Sequence, residues 1–217
     1  MIGFLKKYLP PKLIFWLLVL LGFNGLAYYG ARIINEGRVH YDISIAADSW
    51  FPLIPAFTIV YFGCYITWSL GYIIIYHLNR DDAHRFYLAD IMAKLACFAI
   101  FIIIPTSMER PAVPDGFFGN ILGLLYKVDA PDNLFPSIHC LESWFGFIAY
   151  RARKDVSPWI KIGFFVLAIL VFLSTLYTKQ HLLADVAGGI ILAELCWLLS
   201  GLLMKKLKKR RAKASAA

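Results

Sequence analysis

The sequence predicts an all-α membrane protein, a bundle of six transmembrane helices with both termini in the cytoplasm. The 217 residues are 60% hydrophobic and only 17% charged, and the mean hydropathy is +0.65. A soluble domain of this size could not bury that much apolar surface without leaving large patches exposed. The apolar runs also lack the period-two alternation of lipid-facing strands, so helices are favoured over a barrel.

Six apolar runs approach or exceed the roughly 20 residues that a helix needs to cross a bilayer. The first follows the Pro10-Pro11 pair, which suits a helix start. The fourth begins directly after Pro136 and is short for a span; its polar Glu142 and Ser143 should face other helices rather than lipid. The predicted spans are about Leu13 to Ile34, Ile54 to Leu78, Asp90 to Pro105, Ser137 to Tyr150, Trp159 to Tyr177 and His181 to Met204.

The distribution of lysine and arginine predicts the orientation of this bundle. Six spans place both termini on one side, and that side carries 16 of the 22 cations, with Lys94 inside the third span. Such an excess favours cytoplasmic termini. The formal charge of +8 therefore reflects membrane orientation, and we expect no nucleic-acid partner. The five cations on the outer side are Arg32, Arg38, Arg110, Lys127 and Lys179.

The chain is predicted to form one integral membrane domain over residues 1–204, followed by a basic cytoplasmic tail over residues 205–217. The tail determines topology and has a secondary attraction to anionic lipid. The cysteines are far apart and form no CxxC pair, so we interpret them as buried small hydrophobic residues rather than disulfide partners. They are Cys64, Cys97, Cys140 and Cys196.

Three polar segments from distant parts of the chain are predicted to lie on the outer face. They contain Arg110 after the third span, Ser137 and His139 at the start of the fourth, and His181 with Asp185 at the start of the sixth. If these helices pack together, two imidazoles, one guanidinium and one carboxylate converge at the outer boundary of the membrane. This convergence predicts an active site there.

Each of these residues suits phosphate chemistry. His181 and Asp185 are four apart, so the carboxylate can fix one ring nitrogen and leave the other free as a nucleophile or metal ligand. Ser137 suits an N-cap, where free backbone N–H groups favour an anion. Arg110 is a bidentate donor suited to phosphate. The alternatives are a polar pair stabilising a helix start, plain capping and a solvated loop arginine.

Lys179 and Lys127 are two further candidate phosphate contacts. Both lie near the predicted outer boundary of the membrane. Interfacial lysines also extend towards water to keep the ammonium group hydrated, and that interpretation remains open for each.

These residues resemble the type-2 phosphatidic acid phosphatase superfamily of integral membrane lipid phosphatases. Its signatures are Lys followed after six residues by Arg-Pro, then Pro-Ser-Gly-His, then Ser-Arg followed after five residues by His and after three more by Asp. This sequence offers, in the same order, Arg110-Pro111, Pro136-Ser137-Ile138-His139, and His181 with Asp185. The motif resemblance covers about Thr106 to Gly189.

The departures from these signatures concern phosphate-binding cations. Ile103 stands at the position of the family's Lys, and Thr175, after a matching Ser174, stands at that of its second Arg. Ile138 replaces the glycine of the second signature. This relaxed pattern is similar to the branch that includes inositol phosphorylceramide synthases and sphingomyelin synthases. Lys179 or Lys127 could supply the missing charge.

The resemblance implies a two-step phosphoryl transfer that needs neither metal nor other cofactor. His181 would attack phosphorus, and Asp185 would orient it. Arg110 and backbone N–H groups near Ser137 would hold the phosphate oxygens, and His139 would protonate the departing lipid oxygen. In the second step His139 would deprotonate a water or an acceptor hydroxyl.

The resulting hypothesis is a multi-pass phosphatase of the plasma membrane that hydrolyses a lipid phosphomonoester or diphosphate at the outer leaflet. The alternative is a headgroup phosphotransferase of the same superfamily. A non-enzymatic transporter using the buried His and Asp is a third hypothesis. A zinc or iron site is a fourth hypothesis, which is disfavoured because the positive charge of nearby Arg110 would repel a metal cation. The sequence specifies neither the lipid nor the oligomeric state.

Overall fold

The computed structural model describes residues 8–215 and is all-α over that range. Two short 3-10 turns, Ala46–Trp50 and Pro55–Phe57, precede the second helix. A single π-helical turn, Leu26–Gly30, interrupts the first. The helices are α1 Pro11–Ile34, α2 Thr58–Leu78, α3 Arg80–Ile103, α4 Phe117–Val128, α5 Ile138–Arg151, α6 Pro158–Tyr177 and α7 Leu183–Ser215.

Five of these helices are long and apolar enough to cross a membrane: α1, α2, α3, α6 and α7. The predicted fourth span corresponds to α5, which has only 14 residues. At about 1.5 Å per residue it is roughly 21 Å long, less than the hydrocarbon core. α5 packs against α2, α3, α6 and α7, and most of its side chains are buried. The fold is thus a multi-span bundle with a short central helix.

The long helices and α5 alternate in direction. At one end of the bundle, Ile54 N–H donates to Tyr177 O at 2.9 Å, which joins the start of α2 to the end of α6. At the same end, Ser137 N–H donates to Asp185 O at 3.0 Å, which joins the starts of α5 and α7. We call this the site end. Helices that start here therefore alternate with helices that finish here.

The opposite end of the bundle carries most of the described cations, and we call it the basic end. Here Arg153, after α5, pairs with Asp82 at the start of α3. Lys208, in the last turns of α7, pairs with Asp81. The structure thus separates the two groups of cations along the bundle axis, apart from Lys6 and Lys7, which lie outside the described residues.

Two helix boundaries differ from those expected. α3 begins at Arg80 rather than near Asp90, because the Asn79 side chain caps it by accepting from Asp81 N–H and Asp82 N–H. The charged residues that seemed to bound the third span are the solvated first turns of the same helix. α7 continues past Met204 without a break, so the helix itself marks no boundary between residues 1–204 and the tail.

A buried charged cluster fixes α5 within the bundle. Lys94 Nζ lies 3.0 Å from Asp90 Oδ2 and 2.8 Å from Glu142 Oε1. It also donates to Leu20 O of α1 at 3.1 Å. The hydroxyl of Tyr72 on α2 donates to Glu142 Oε2 at 2.6 Å. The cluster therefore joins α1, α2, α3 and α5, and Glu142 faces other helices as predicted.

Candidate active site

A cavity of about 160 Å³ lies at the site end, among α1, α2, α5, the start of α7 and the loop after α4. Its wall combines aromatic and polar side chains. His139 and His181 both belong to that wall. Their ring centroids are 5.8 Å apart. The fold therefore brings together two imidazoles that are 42 residues apart in sequence.

The first imidazole, His181, is held by Asp185 one helical turn further on. Its Nδ1 lies 3.3 Å from Asp185 Oδ2. The same oxygen accepts from Leu182 N–H at 2.8 Å and so caps the start of α7. Asp185 is 0% exposed. With Nδ1 facing a carboxylate, Nε2 is the ring nitrogen left for chemistry.

The start of α5 places the second imidazole, His139. Ser137 is the N-cap, and its Oγ accepts from Cys140 N–H at 3.3 Å. This puts His139 in the first turn, where backbone N–H groups lack helical partners. α7 approaches closely at Gly189, where a Cβ would lie 2.5 Å from Ser137 O. A glycine at this position is what allows α7 to pack so near the start of α5.

His139 lies in an aromatic surround supplied by α2. The Tyr61 ring centroid is 4.3 Å from that of His139, and the Trp68 centroid is 5.4 Å away. The Tyr61 hydroxyl lies 3.3 Å from His139 Nδ1. The Tyr65 hydroxyl lies 3.3 Å from His139 Nε2. Both ring nitrogens therefore face a phenol.

Asp129, in the loop after α4, adds a carboxylate to the cavity wall. Its Oδ1 accepts from the Tyr28 hydroxyl at 2.7 Å, and its Oδ2 accepts from the Tyr61 hydroxyl. Burial by itself raises the pKa of this carboxyl, but nearby His139 and the two phenol donors hold the pKa below its ordinary value. Asp129 is therefore a stable anion beside the histidine pair.

Arg110 joins the loops behind the cavity and does not line it. Its Nε donates to Lys179 O at 3.2 Å, and its Nη1 donates to Asp129 O at 2.6 Å. Nη2 donates to Gln180 Oε1. The guanidinium also lies 4.5 Å from the ring centroid of Tyr126. In this structure Arg110 thus positions the two segments that carry Asp129 and His181.

The two lysines considered as phosphate contacts are not on the cavity wall. Lys179 has a positive φ of 53°, and its ammonium group lies 3.4 Å from Asp48 O. Lys127 is exposed at the end of α4. The structure therefore brings His139, His181 and Asp185 together with Ser137, and leaves both lysines outside that group.

The family model for the PAP2 superfamily matches residues 101–209, half of the chain. The match includes Arg110, Ser137, His139, His181 and Asp185. The chain belongs to the PAP2 superfamily. No curated protein and no solved structure matches the chain. Membership supports phosphatase or phosphotransferase activity in a multi-pass membrane protein.

Neither residue that replaces a signature cation of the PAP2 superfamily lines the cavity. Ile103 is 71% exposed, and Thr175 is 0% exposed. The Thr175 carbonyl accepts from Gln180 N–H at 2.9 Å and His181 N–H at 3.1 Å, so this residue shapes the turn before α7. Among the described residues, neither lysine nor arginine lines the cavity.

Sequence reasoning missed several polar residues of this PAP2 site. Tyr61 and Tyr65 are four apart on α2, which is a detectable signal of a shared face. The local sequence around Asp129 and Gln180 gives no comparable signal, because it does not indicate which distant segments these residues contact in the fold. Gln180 is 2% exposed, and its Nε2 has no hydrogen-bond partner within the described part of the chain.

Metal ligation was also an open alternative for this PAP2 site. Across residues 8–215, no group of three or more His, Cys, Asp or Glu side chains is arranged to hold a metal ion. The four cysteines are free and buried.

Proposed function

We propose that the chain is a membrane lipid phosphatase that hydrolyses a lipid phosphomonoester or diphosphate through a phosphohistidine on His181. One observation carries this proposal: His139 and His181 face each other across 5.8 Å on the wall of a cavity among apolar helices. One imidazole can attack phosphorus while the other handles the proton of the leaving oxygen. PAP2 membership supports the reaction type.

In the first step, Nε2 of His181 forms a bond to phosphorus, and the bond between phosphorus and the lipid oxygen breaks. The electron pair of that bond leaves with the lipid oxygen, which takes a proton from His139. Asp185 accepts a hydrogen bond from Nδ1 of His181 and stabilises its positive charge. Backbone N–H groups at the start of α5, near Ser137, hold the phosphate oxygens.

In the second step, a water oxygen attacks the phosphohistidine while His139 takes a proton from that water. The bond between phosphorus and nitrogen breaks, its electron pair returns to His181, and inorganic phosphate leaves. Arg110 acts in both steps by holding together the segments that carry Asp129 and His181. No metal ion takes part in either step.

The site end is proposed to lie at the outer leaflet of the plasma membrane. The opposite end holds most of the described lysines and arginines, and such residues accumulate on the cytoplasmic side. A lipid phosphate enters from the outer leaflet, with its phosphate in the cavity and its chains against the exposed apolar helix faces.

The second candidate is a headgroup phosphotransferase, in which a lipid hydroxyl replaces water. The charge of the cavity favours it: Asp129 and Asp132 line the wall, whereas neither lysine nor arginine of the described chain does. A phosphomonoester dianion needs more positive charge around it than a phosphodiester monoanion. A cation-poor site is therefore better matched to a diester donor.

The two candidates are separated by assaying purified protein in lipid nanodiscs. The substrates are phosphatidate, phosphatidylglycerophosphate and a polyprenyl diphosphate, and free phosphate is measured with and without chelator. A phosphatase releases phosphate in both conditions. A transferase releases little, and instead moves the headgroup of a labelled phospholipid onto an added lipid alcohol.

The decisive variant is His181→Ala, which removes the proposed nucleophile and should abolish turnover. The matched control is His84→Ala, which removes an exposed imidazole near the basic end and should retain wild-type turnover. If His181→Ala turned over substrate as fast as wild type, the phosphohistidine mechanism would be wrong. If no substrate in either assay were converted by wild type, a non-enzymatic transporter would replace both candidates.

A further inference from the structure

A chain of hydrogen-bonding groups joins Asp129 to His139 through the phenol of Tyr61. The Tyr61 hydroxyl donates to Asp129 Oδ2 and lies 3.3 Å from His139 Nδ1. The other carboxylate oxygen accepts from the Tyr28 hydroxyl at 2.7 Å. On the far side of the imidazole, Nε2 lies 3.3 Å from the Tyr65 hydroxyl. Tyr61 is 1% exposed, so packing fixes its place in this chain.

The directions of these hydrogen bonds determine which nitrogen of His139 carries the proton. A phenol has one proton, and Tyr61 gives it to the Asp129 carboxylate. Towards Nδ1, the Tyr61 oxygen can therefore only accept, which requires a proton on Nδ1. The neutral ring then has a bare Nε2, which accepts from Tyr65.

We propose that Tyr61 and Asp129 are positioning residues that hold His139 in its Nδ1–H tautomer and stabilise its imidazolium, so that Nε2 alone exchanges protons with substrate. The catalytic meaning of this assignment rests on the proposed function. Tyr61 keeps its proton throughout, so no proton leaves by this route. The two histidines are then restrained in parallel ways, His181 by a carboxylate directly and His139 by a carboxylate through a phenol.

Asp129 and Glu142 are the two carboxylates that favour the charged form of His139, and Asp129 is linked to the ring through the Tyr61 hydroxyl. Glu142, one turn further along α5, is engaged by Lys94 at 2.8 Å. The titratable groups that face His139 are Tyr61 and Tyr65 from α2, Asp129 from the loop after α4, His181 from the start of α7 and Glu142 from its own helix.

The tautomer can be measured without any assay of activity. Protein labelled with ¹⁵N-histidine is studied by NMR in detergent micelles, and the His139 signals are assigned with His139→Gln. We expect the neutral ring to carry its proton on Nδ1. Tyr61→Phe keeps the size and shape of the ring but removes the acceptor, so the population should move towards the Nε2–H form. The control Tyr29→Phe removes a phenol of the cavity wall that packs on Tyr28 and should leave the tautomer unchanged.

Two results of that measurement would overturn the assignment. One is a wild-type His139 with its proton on Nε2, and the other is a tautomer that Tyr61→Phe leaves unaltered. The same spectra show whether each variant is folded, because the remaining histidine signals should keep their positions.

Kinetics give a second, separate test. Tyr61→Phe should lower kcat by about tenfold with little change in KM, since general acid–base steps depend on correct protonation and alignment. Asp129→Asn should move the alkaline limb of kcat/KM to lower pH by about one unit, because the His139 imidazolium loses its anionic partner. The control is Asp132→Asn, which removes another carboxylate of the same loop; Asp132 pairs with Arg32 at 3.1 Å. This variant should shift the alkaline limb of the kcat/KM profile by less than Asp129→Asn does.

Equal shifts in Asp129→Asn and Asp132→Asn would show that any carboxylate of this loop acts on His139 through space, and would overturn the positioning role assigned to Tyr61 and Asp129. A wild-type protein without turnover would instead contradict the proposed function. The tautomer measurement would still decide the assignment in that case, so the two failures are distinguishable.

Discussion

At the scale of single residues, the site is organised around restrained imidazoles. His181 Nδ1 faces Asp185, and His139 Nδ1 faces Tyr61. We propose that Nε2 of each ring is the nitrogen that meets substrate, with the Nε2 of His139 beside the Tyr65 hydroxyl. Arg110 takes a different place from the expected one, because three of its donors bond to protein acceptors in the loops behind the cavity.

The low pKa of Asp129 predicts a pH-dependent contribution to stability. Its folded pKa lies below the unfolded value of about 4. Its contribution is therefore present above that pH and is lost as pH falls through the folded pKa. At pH 7, Asp129→Asn should lower the free energy of unfolding by about 2 kcal/mol, since hydrogen bonds to a charged acceptor are lost.

This prediction is checked by thermal unfolding in detergent between pH 7 and pH 3. The difference between wild type and Asp129→Asn should shrink below about pH 4. Asp115→Asn, at an exposed position before α4, serves as the control and should show little difference at any pH. A difference for Asp129→Asn that stays constant across the range would contradict the prediction.

At the scale of elements, α5 determines the architecture of the site. It is too short to cross the hydrocarbon core alone, yet it carries His139 at its first turn and the charged cluster at its second. Gly146 lies against Phe164 of α6, and Gly189 of α7 lies against Ser137. These close approaches seat α5 between α6 and α7, and so fix His139 relative to His181.

The charged cluster of α3 and α5 predicts a large effect of Lys94→Met. Removing this ammonium leaves the acids Asp90 and Glu142 buried without a cation, which should cost about 3–5 kcal/mol of unfolding free energy. Neutralising the acids as well, in Asp90→Asn/Lys94→Met/Glu142→Gln, should recover much of that loss. The measurement is reversible denaturation in mixed micelles.

The matched control is Lys127→Met, at an exposed position on α4, which should change the free energy by less than about 0.5 kcal/mol. If Lys94→Met and Lys127→Met were equally mild, the cluster would not stabilise α5 as inferred.

At the scale of the whole molecule, the alternating helices separate a polar cavity from a basic end. The loop of Ser44 lies at the site end, and the loop of Lys154 lies at the basic end, because α1, α5 and their neighbours run in alternate directions. Positive residues gather at the second end, which favours its placement in the cytoplasm.

This arrangement predicts the sidedness of labelling in intact cells. Ser44→Cys should react with a membrane-impermeant maleimide added outside, whereas Lys154→Cys should react only after permeabilisation. Both positions are exposed, and the wild-type protein, whose four cysteines are buried, is the background control. The reverse pattern would place the cavity in the cytoplasm, and labelling of both from one side would contradict the alternation.

The sequence predicted the fold class and the family because these depend on local features. Long apolar runs partition into lipid whatever their neighbours, and the His181–Asp185 spacing brings the two together on any helix. The order of Arg110, His139 and His181 with their flanking residues was enough to predict the PAP2 superfamily, which the family match confirms. The third span was predicted to start near Asp90, but α3 begins at Arg80. The prediction missed the first turns because solvated helical turns and loops have the same polar composition.

Only the tertiary structure decided what surrounds these motifs. Tyr61 is 68 residues from Asp129 and 78 from His139, so their contact depends on how α2, α5 and the loop after α4 pack. The same holds for Arg110, whose partners are up to 70 residues away. Local sequence encodes which side chains can do chemistry, whereas the packing of distant segments decides which of them share a cavity and which nitrogen of each imidazole faces it.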